Sequence, residues 1–324
     1  MASLLPTTFV YAEKADDLAK LIAFARDLGE KVNVLFIGDD ESTRECVNLG
    51  ADCVYCFAPQ DGVIAEDYAA SFAEIIKEAG ANALVLLAAS KRAKAIAARL
   101  GVILKAGVVS DALSLAIENN TVIATHQVYG GLAHAKAEIR SPYAIATVGS
   151  ALDVEAIKDA PNAQVVQSIF IAPAHTLKVL ARKPKQGSTV DLGKAHCVVG
   201  VGRGFGKADD IALASALAKA LQGEVGCSRP IAEGEGWMEH DRYIGVSGVT
   251  LGADVYVAVG ISGQIQHMVG VDRAKIIVGI NKDKKCPYFQ YGRLRYCWRP
   301  LQSVTCINRE ARRLITVGRL VIMY

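Results

Sequence analysis

Residues Cys197–Gly206 read CVVGVGRGFG: a strand-length apolar run that breaks into closely spaced glycines. A helical pattern, Asp209–Leu221, follows at once. In an α/β protein a continuous apolar run of this length is a strand buried on both faces. Two further runs downstream, Asp254–Val259 and Lys275–Ile280, read the same way. Upstream, Val32–Ile37, Ala83–Ala88 and Ala144–Val148 are strands by the same test. Between them Asp16–Leu28, Tyr68–Ala79 and Ala93–Leu100 space apolar residues as core-facing helices do. Strand alternating with helix predicts parallel sheets with right-handed crossovers. Ala181–Gly193 is polar, carries Pro, Gly and a basic cluster, and reads as a linker. The expected fold is therefore α/β in two domains, which the length of 324 residues also favours.

Composition excludes several classes. Hydrophobic residues make up 52% and charged residues 21%, enough for a sizeable core and too apolar for disorder. Mean hydropathy is +0.25, yet no apolar run approaches the ~20 residues a bilayer span requires. The start, MASLLPTTFVYAEK, lacks the pattern of a signal peptide. Eight scattered cysteines do not make a disulfide framework, so a reduced, cytoplasmic setting is expected. The net charge of +3 is unevenly spread: residues 292–324 hold seven Arg, one Glu and no Lys. The rest of the chain is mildly acidic, and nothing predicts nucleic-acid binding.

Glycine-rich turns between strand and helix are where phosphates bind. The turn after Val201 fits neither standard phosphate pattern. Phe205 stands where G-x-G-x-x-G needs glycine, and Val201 and Ala208 break the G-x-x-x-x-G-K-[ST] pattern. Arg203 at its tip favours an anionic ligand over a merely structural turn. A second turn, Gly260-Ile-Ser-Gly263, runs into a helix start that carries His267. Cys53-Val-Tyr-Cys56 has no second ligand pair for zinc and reads as strand. No hydrolytic motif is present, so these residues alone point no further than an anionic ligand at a strand-to-helix turn. A nucleotide-dependent oxidoreductase acting alone and a nucleotide-binding regulatory module are two readings to weigh, and the missing G-x-G-x-x-G with a following acidic residue counts against the first.

In order, Gly202-Arg-Gly204, Val225–Pro230 (VGCSRP), Arg242–Thr250 (RYIGVSGVT), Val257–Gly270 (VAVGISGQIQHMVG) and Ile277–Asp283 (IVGINKD) resemble the α subunit of electron transfer flavoproteins, the FixB-type group. The likeness is dense over residues 197–291 and looser before, where Tyr129-Gly-Gly131 and Lys91–Leu100 still fit. It implies a nucleotide-hydrolase-like parallel-sheet domain over residues 1–185, the scaffold for a β subunit. It also implies a doubly wound FAD-binding domain over 186–291. Carried over by position, Arg203 and Ser228 contact the dinucleotide and Arg229 lies against the isoalloxazine. Ile244, Gly245, Val246 and Ser247 form a loop at the flavin N5 edge. Ser262, Gly263, Gln264, Ile265, Gln266 and His267 line the pyrophosphate and flavin, and Asn281 reaches the adenosine end. The implied function is electron transfer between a dehydrogenase, acyl-CoA-type or similar, and a redox or quinone-linked acceptor.

Many members read G-Q-T-G-K where this chain has Gly245-Val-Ser-Gly-Val249, which resembles the anaerobic, acyl-CoA- or carnitine-linked branch. After Tyr291 the resemblance stops. Members typically continue A-D-Y-G-I-V-G-D and then a K-V-(V/L)-P-A-L helix. Back-translating Tyr291–Arg312 with chosen synonymous codons and deleting one G after the Tyr291 codon yields A-D-Y-G-I-V-G-D-R-Y-K-V-L-P-A-L-T-A-K-L. Residues 292–324 are therefore read as a frameshifted form of that terminus.

Overall fold

The computed structural model describes residues 4–129, 133–149, 154–157, 163–177, 179–181, 190–291, 294–297 and 304. They form two compact units, one within residues 4–181 and one within 190–304.

The first unit runs β1 (Leu5–Tyr11), α1 (Ala15–Arg26), β2 (Gly29–Ile37), α2 (Asp40–Val47), β3 (Cys53–Phe57), α3 (Ala69–Glu78), β4 (Ala83–Ala88), α4 (Lys91–Leu104), then β5 (Gly107–Glu118), β6 (Thr121–Val128), β7 (Ala133–Ile139), β8 (Tyr143–Val148) and β9 (Gln164–Ser168). The strands lie in the order β7-β6-β5-β8-β4-β1-β2-β3-β9. From β5 through β8 to β9 neighbours are parallel, while β5–β6–β7 is an antiparallel arm. The arm escaped the sequence reading because β5 and β7 alternate buried or half-buried with exposed residues instead of forming apolar runs.

Successive side chains point to opposite faces, so each central strand feeds two cores. Val10, Val34, Leu84 and Leu86 pack with Leu18, Leu21 and Ile22 of α1. Phe9, Leu35, Val85 and Leu87 pack with Phe72 and Ile76 of α3 and with Ile96 and Leu100 of α4. Each such fully buried Leu, Ile or Phe contributes about 1.5–3 kcal/mol over leaving it exposed. One ion pair crosses beneath: Arg99 Nη1 donates to the fully buried Asp67 Oδ1 at 2.6 Å and to the Glu66 carbonyl at 2.7 Å. In β3, Cys53 and Cys56 are both free, and Cys56 Sγ lies 3.0 Å from Thr43 Oγ1 in the interior.

The second unit has β10 (Cys197–Val201), α5 (Ile211–Ala220), β11 (Glu224–Cys227), β12 (Val255–Val259), α6 (Ile265–Met268), β13 (Ile276–Asn281), α7 (Tyr288–Tyr291) and β14 (Leu294–Cys297). All pairs are parallel, in the order β11-β10-β12-β13-β14. Both faces are covered. Val198, Tyr256 and Ala258 face Met268 and Tyr288, and Val199, Val257 and Val259 face Leu217 and Tyr243. The frameshift reading concerns residues 292–324, of which only the β14 backbone and the buried Val304 are described.

Candidate functional site

The chain leaves β10 towards β11 on one side and reaches β12 on the other, so the winding reverses between β10 and β12. In open parallel sheets the crevice outside the strand carboxyl ends at such a reversal is where ligands bind. The candidate site residues lie at this edge. Arg203 follows β10, Ser228 and Arg229 follow β11, Ser262–His267 follow β12, and Asn281 ends β13.

Backbone contacts close the edge. Gly202 N donates to the Val259 carbonyl at 2.9 Å and Gly204 N to the Gly260 carbonyl at 2.9 Å. Gly260 has φ +64°, and a Cβ on it would stand 2.6 Å from Gly204 Cα. The two glycine-rich turns therefore touch main chain to main chain, which any side chain at either position would prevent. Ser228 N donates to the Val201 carbonyl at 2.9 Å, and Gly260 N to the Ile280 carbonyl at 2.9 Å. Asn281 Nδ2 donates to the Ile261 carbonyl at 2.8 Å, with Cys286 Sγ 2.8 Å from the Ser262 carbonyl. Asn281 thus braces the Gly260–Gly263 turn from below.

The Ile244–Ser247 loop joins the same edge. Ile244 N donates to the Cys227 carbonyl at 2.9 Å and Val246 N to the Gln266 carbonyl at 2.9 Å. Tyr243 Oη and Ser247 Oγ are 3.2 Å apart. Ile244, Gly245, Gly263 and His267 are buried, whereas Arg203, Val246, Ser247, Ser262, Gln264, Ile265 and Gln266 are exposed around them. The edge presents a mainly polar rim over packed loops, with the apolar Val246 and Ile265 also exposed on it.

Two ionisable groups matter. Arg229 is exposed, and its Nε donates to Glu233 Oε2 at 2.6 Å; Glu233 also meets His240 Nε2 at 3.2 Å. The Arg229 hydrogen bond is the first cause holding the Glu233 carboxyl below its usual range. His267 is 8% exposed, and its Nε2 lies 2.9 Å from the Tyr256 hydroxyl. Burial pushes this imidazole down to about 4, the Ile244 backbone opposing. Nδ1 is buried and completes no hydrogen bond. Sequence reading missed Tyr256, Glu233 and Cys286. Tyr256 reads as one more apolar strand residue, Glu233 sits in the short π-helical turn Pro230–Gly234 and Cys286 in a loop, neither within a motif; only the i,i+4 spacing of Arg229 and Glu233 was a usable signal. Among the described residues no group of His, Cys, Asp and Glu could hold a metal ion.

Comparison with known proteins matches one family domain to each unit. A family profile described as the electron transfer flavoprotein domain matches residues 10–170, and the electron transfer flavoprotein FAD-binding domain matches 191–272. The putative electron transfer flavoprotein subunit YdiR of Escherichia coli K12 is 44% identical over 291 residues, 89% of this chain and 93% of that protein. Protein FixB of Escherichia coli O17:K52:H18 is 42% identical over 87% of this chain and 91% of its own length. FixB of Salmonella typhimurium is 42% identical over 88% and 91%. With both domains matched and relatives above 40% identity along most of its length, the chain belongs to the electron transfer flavoprotein family, as an α-type member.

Proposed function

We propose that this chain is the FAD-binding half of a two-chain electron carrier, working with a β subunit in the cytoplasm. It takes electrons from a dehydrogenase, of acyl-CoA type or serving related fatty acid or carnitine metabolism, and passes them to a quinone-linked or other redox acceptor. The observation that carries this reading is the main-chain contact of the Gly202–Gly204 and Gly260–Gly263 turns at the winding reversal, beside a buried imidazole with an unsatisfied Nδ1. An extended dinucleotide fits such an edge. The glycine turns let a pyrophosphate approach the backbone, and the unsatisfied nitrogen suits a ring heteroatom.

Bound FAD would supply reversible one- and two-electron transfer. The protein's part is to hold and bias it. Arg203 offers a guanidinium to the phosphates, with Ser228 and Ser262 as hydroxyl partners. Gly263, Gln264, Ile265 and Gln266 line the pyrophosphate and ring side, and Asn281 keeps that turn in place from the adenosine end. Ile244, Gly245, Val246 and Ser247 cover the N5 edge, where Ser247 keeps a hydroxyl. Arg229 places a charge beside the ring that does not titrate at physiological pH. A fixed cation favours the negatively charged reduced ring, tempered by Glu233.

Co-expression with the product of the adjacent gene tests the proposal. A yellow complex with one chain of each kind and a flavin spectrum is expected. A colourless protein that binds only ATP would support the regulatory module instead. A nicotinamide-dependent activity of the lone chain would support the stand-alone oxidoreductase. A stable, fully flavin-loaded homodimer would contradict the need for a β subunit.

A further inference from the structure

Glu233 belongs to no motif, yet both of its carboxylate oxygens are engaged, one by Arg229 and one by His240. We propose that Glu233 is a positioning residue for Arg229: it takes the guanidinium at Nε and so holds the two terminal nitrogens in one place, free for a ligand that carries negative charge. This rests on the flavin reading, in which that charge is on the phosphates and the reduced ring.

A lone surface ion pair holds little, because two long side chains must be ordered in water. This one is braced. After Arg229 the chain makes the π-helical turn Pro230–Gly234, closed by Glu235 N donating to the Pro230 carbonyl at 2.9 Å. Such turns are frequent at functional sites. The turn returns Glu233 to Arg229, whose Nε donates to Oε2 at 2.6 Å. Oε1 lies 3.2 Å from His240 Nε2. Its hydrogen bonds hold Glu233 below the usual carboxylate range, and a carboxylate only accepts, so that nitrogen carries the proton. The His240 ring stands edge-on to Tyr243 with centroids 5.9 Å apart, and Tyr243 is buried. Tyr243 N donates to the His240 carbonyl at 3.1 Å, which fixes the two together. An exposed arginine is thereby tied, through two side chains, to a buried ring beside the Ile244–Ser247 loop.

The choice of nitrogen matters. A guanidinium carries its N–H donors in one rigid fork, and a bond at Nε spends the donor furthest from the tip. Among the described residues Nη1 and Nη2 of Arg229 make no hydrogen bond. Without Glu233 the arginine would spread over its rotamers, since it is among the side chains with most freedom to lose. The charge of Glu233 works the other way, because it opposes Arg229 and repels phosphate. In water that opposing charge is screened, so the loss of position outweighs it. The two effects differ in sign, which makes them separable by experiment.

The test uses the full chain purified with its co-expressed partner, with FAD as the probe. In flavin-free protein labelled with 15N-arginine, NMR should show the Arg229 Nε–H signal, assigned by its loss in Arg229→Met, exchanging slowly with water. In Glu233→Ala that exchange should be faster. Glu233→Ala should also raise the Kd for FAD roughly two- to tenfold, the range of one modest hydrogen bond, and lower the potential of the bound flavin. Glu233→Gln keeps an acceptor for Nε and should lose less. In the Arg229→Met background Glu233→Ala should change the Kd less than about twofold, since residues that act through one another are not additive. If the carboxylate acts by its charge alone, Glu233→Ala tightens FAD and raises the potential, and either result overturns the proposal. Unchanged exchange at Arg229 Nε, or an equal effect of Glu233→Ala in both backgrounds, overturns it too. Wild-type protein that binds no FAD overturns the flavin reading, while the exchange measurement still decides whether Glu233 holds Arg229.

Discussion

At the scale of single residues, the site is built from atoms that only certain side chains allow. Gly260 is held at φ +64° against Gly204, so Gly260→Ala should cost roughly 1–3 kcal/mol and abolish tight FAD binding. Urea unfolding with a flavin-binding titration checks both, and unchanged values would mean the turns do not touch as described. His267 gives a pH prediction. Its imidazole is pushed from 6.5 down to about 4 in the fold, so the unfolded chain takes up the proton first as pH falls. The stability this histidine contributes is complete above pH 6.5 and is lost as pH drops towards 4, by roughly 3 kcal/mol at most. Wild-type urea midpoints should therefore fall further between pH 7 and pH 5 than those of His267→Gln. Equal falls would contradict the buried neutral histidine.

Among elements, long apolar strands were legible and amphipathic ones were not. Ala83–Ala88 and Cys197–Val201 were read to the residue because they are buried on both faces or nearly so. β6 and β7 form the outer arm, where half-buried strands carry Thr, His, Lys and Glu and give no apolar run. The helix read at Asp209 begins at Ile211 after a short turn at Ala208–Asp210. Burial of Asp67 was invisible in sequence, since an acidic residue just ahead of a helical pattern reads as solvent-facing. Its pairing with Arg99 ties the turn before α3 to α4. Arg99→Leu should strand that carboxylate and destabilise the protein by roughly 3 kcal/mol, whereas Asp67→Asn with Arg99→Leu should recover part of the loss. Thermal or urea unfolding of the two variants decides it, and a loss below a few tenths of a kcal/mol would contradict a buried ion pair.

At the scale of the whole molecule, the sequence disclosed two α/β units, and the candidate residues it marked fall at the strand ends of the second. The order of strands, and with it the reversal between β10 and β12, needed the structure, because a parallel run looks the same on either side of its neighbour. Residues 292–324 remain the chain's least consistent part: seven Arg without a Lys follow a chain rich in Lys. We propose that they are a shifted reading, so the intact mass of the native protein should differ from that of the 324-residue sequence. A matching mass together with tight FAD binding would contradict this. The central claim is that one FAD lies at the carboxyl edge of the second unit. Hydrogen exchange of the co-purified complex, with FAD and after its removal, tests that most directly. The account predicts protection at residues 202–206, 228–229, 244–247 and 262–267. Protection confined instead to the strand ends of the first unit, around Glu13 and Ser90, would contradict it.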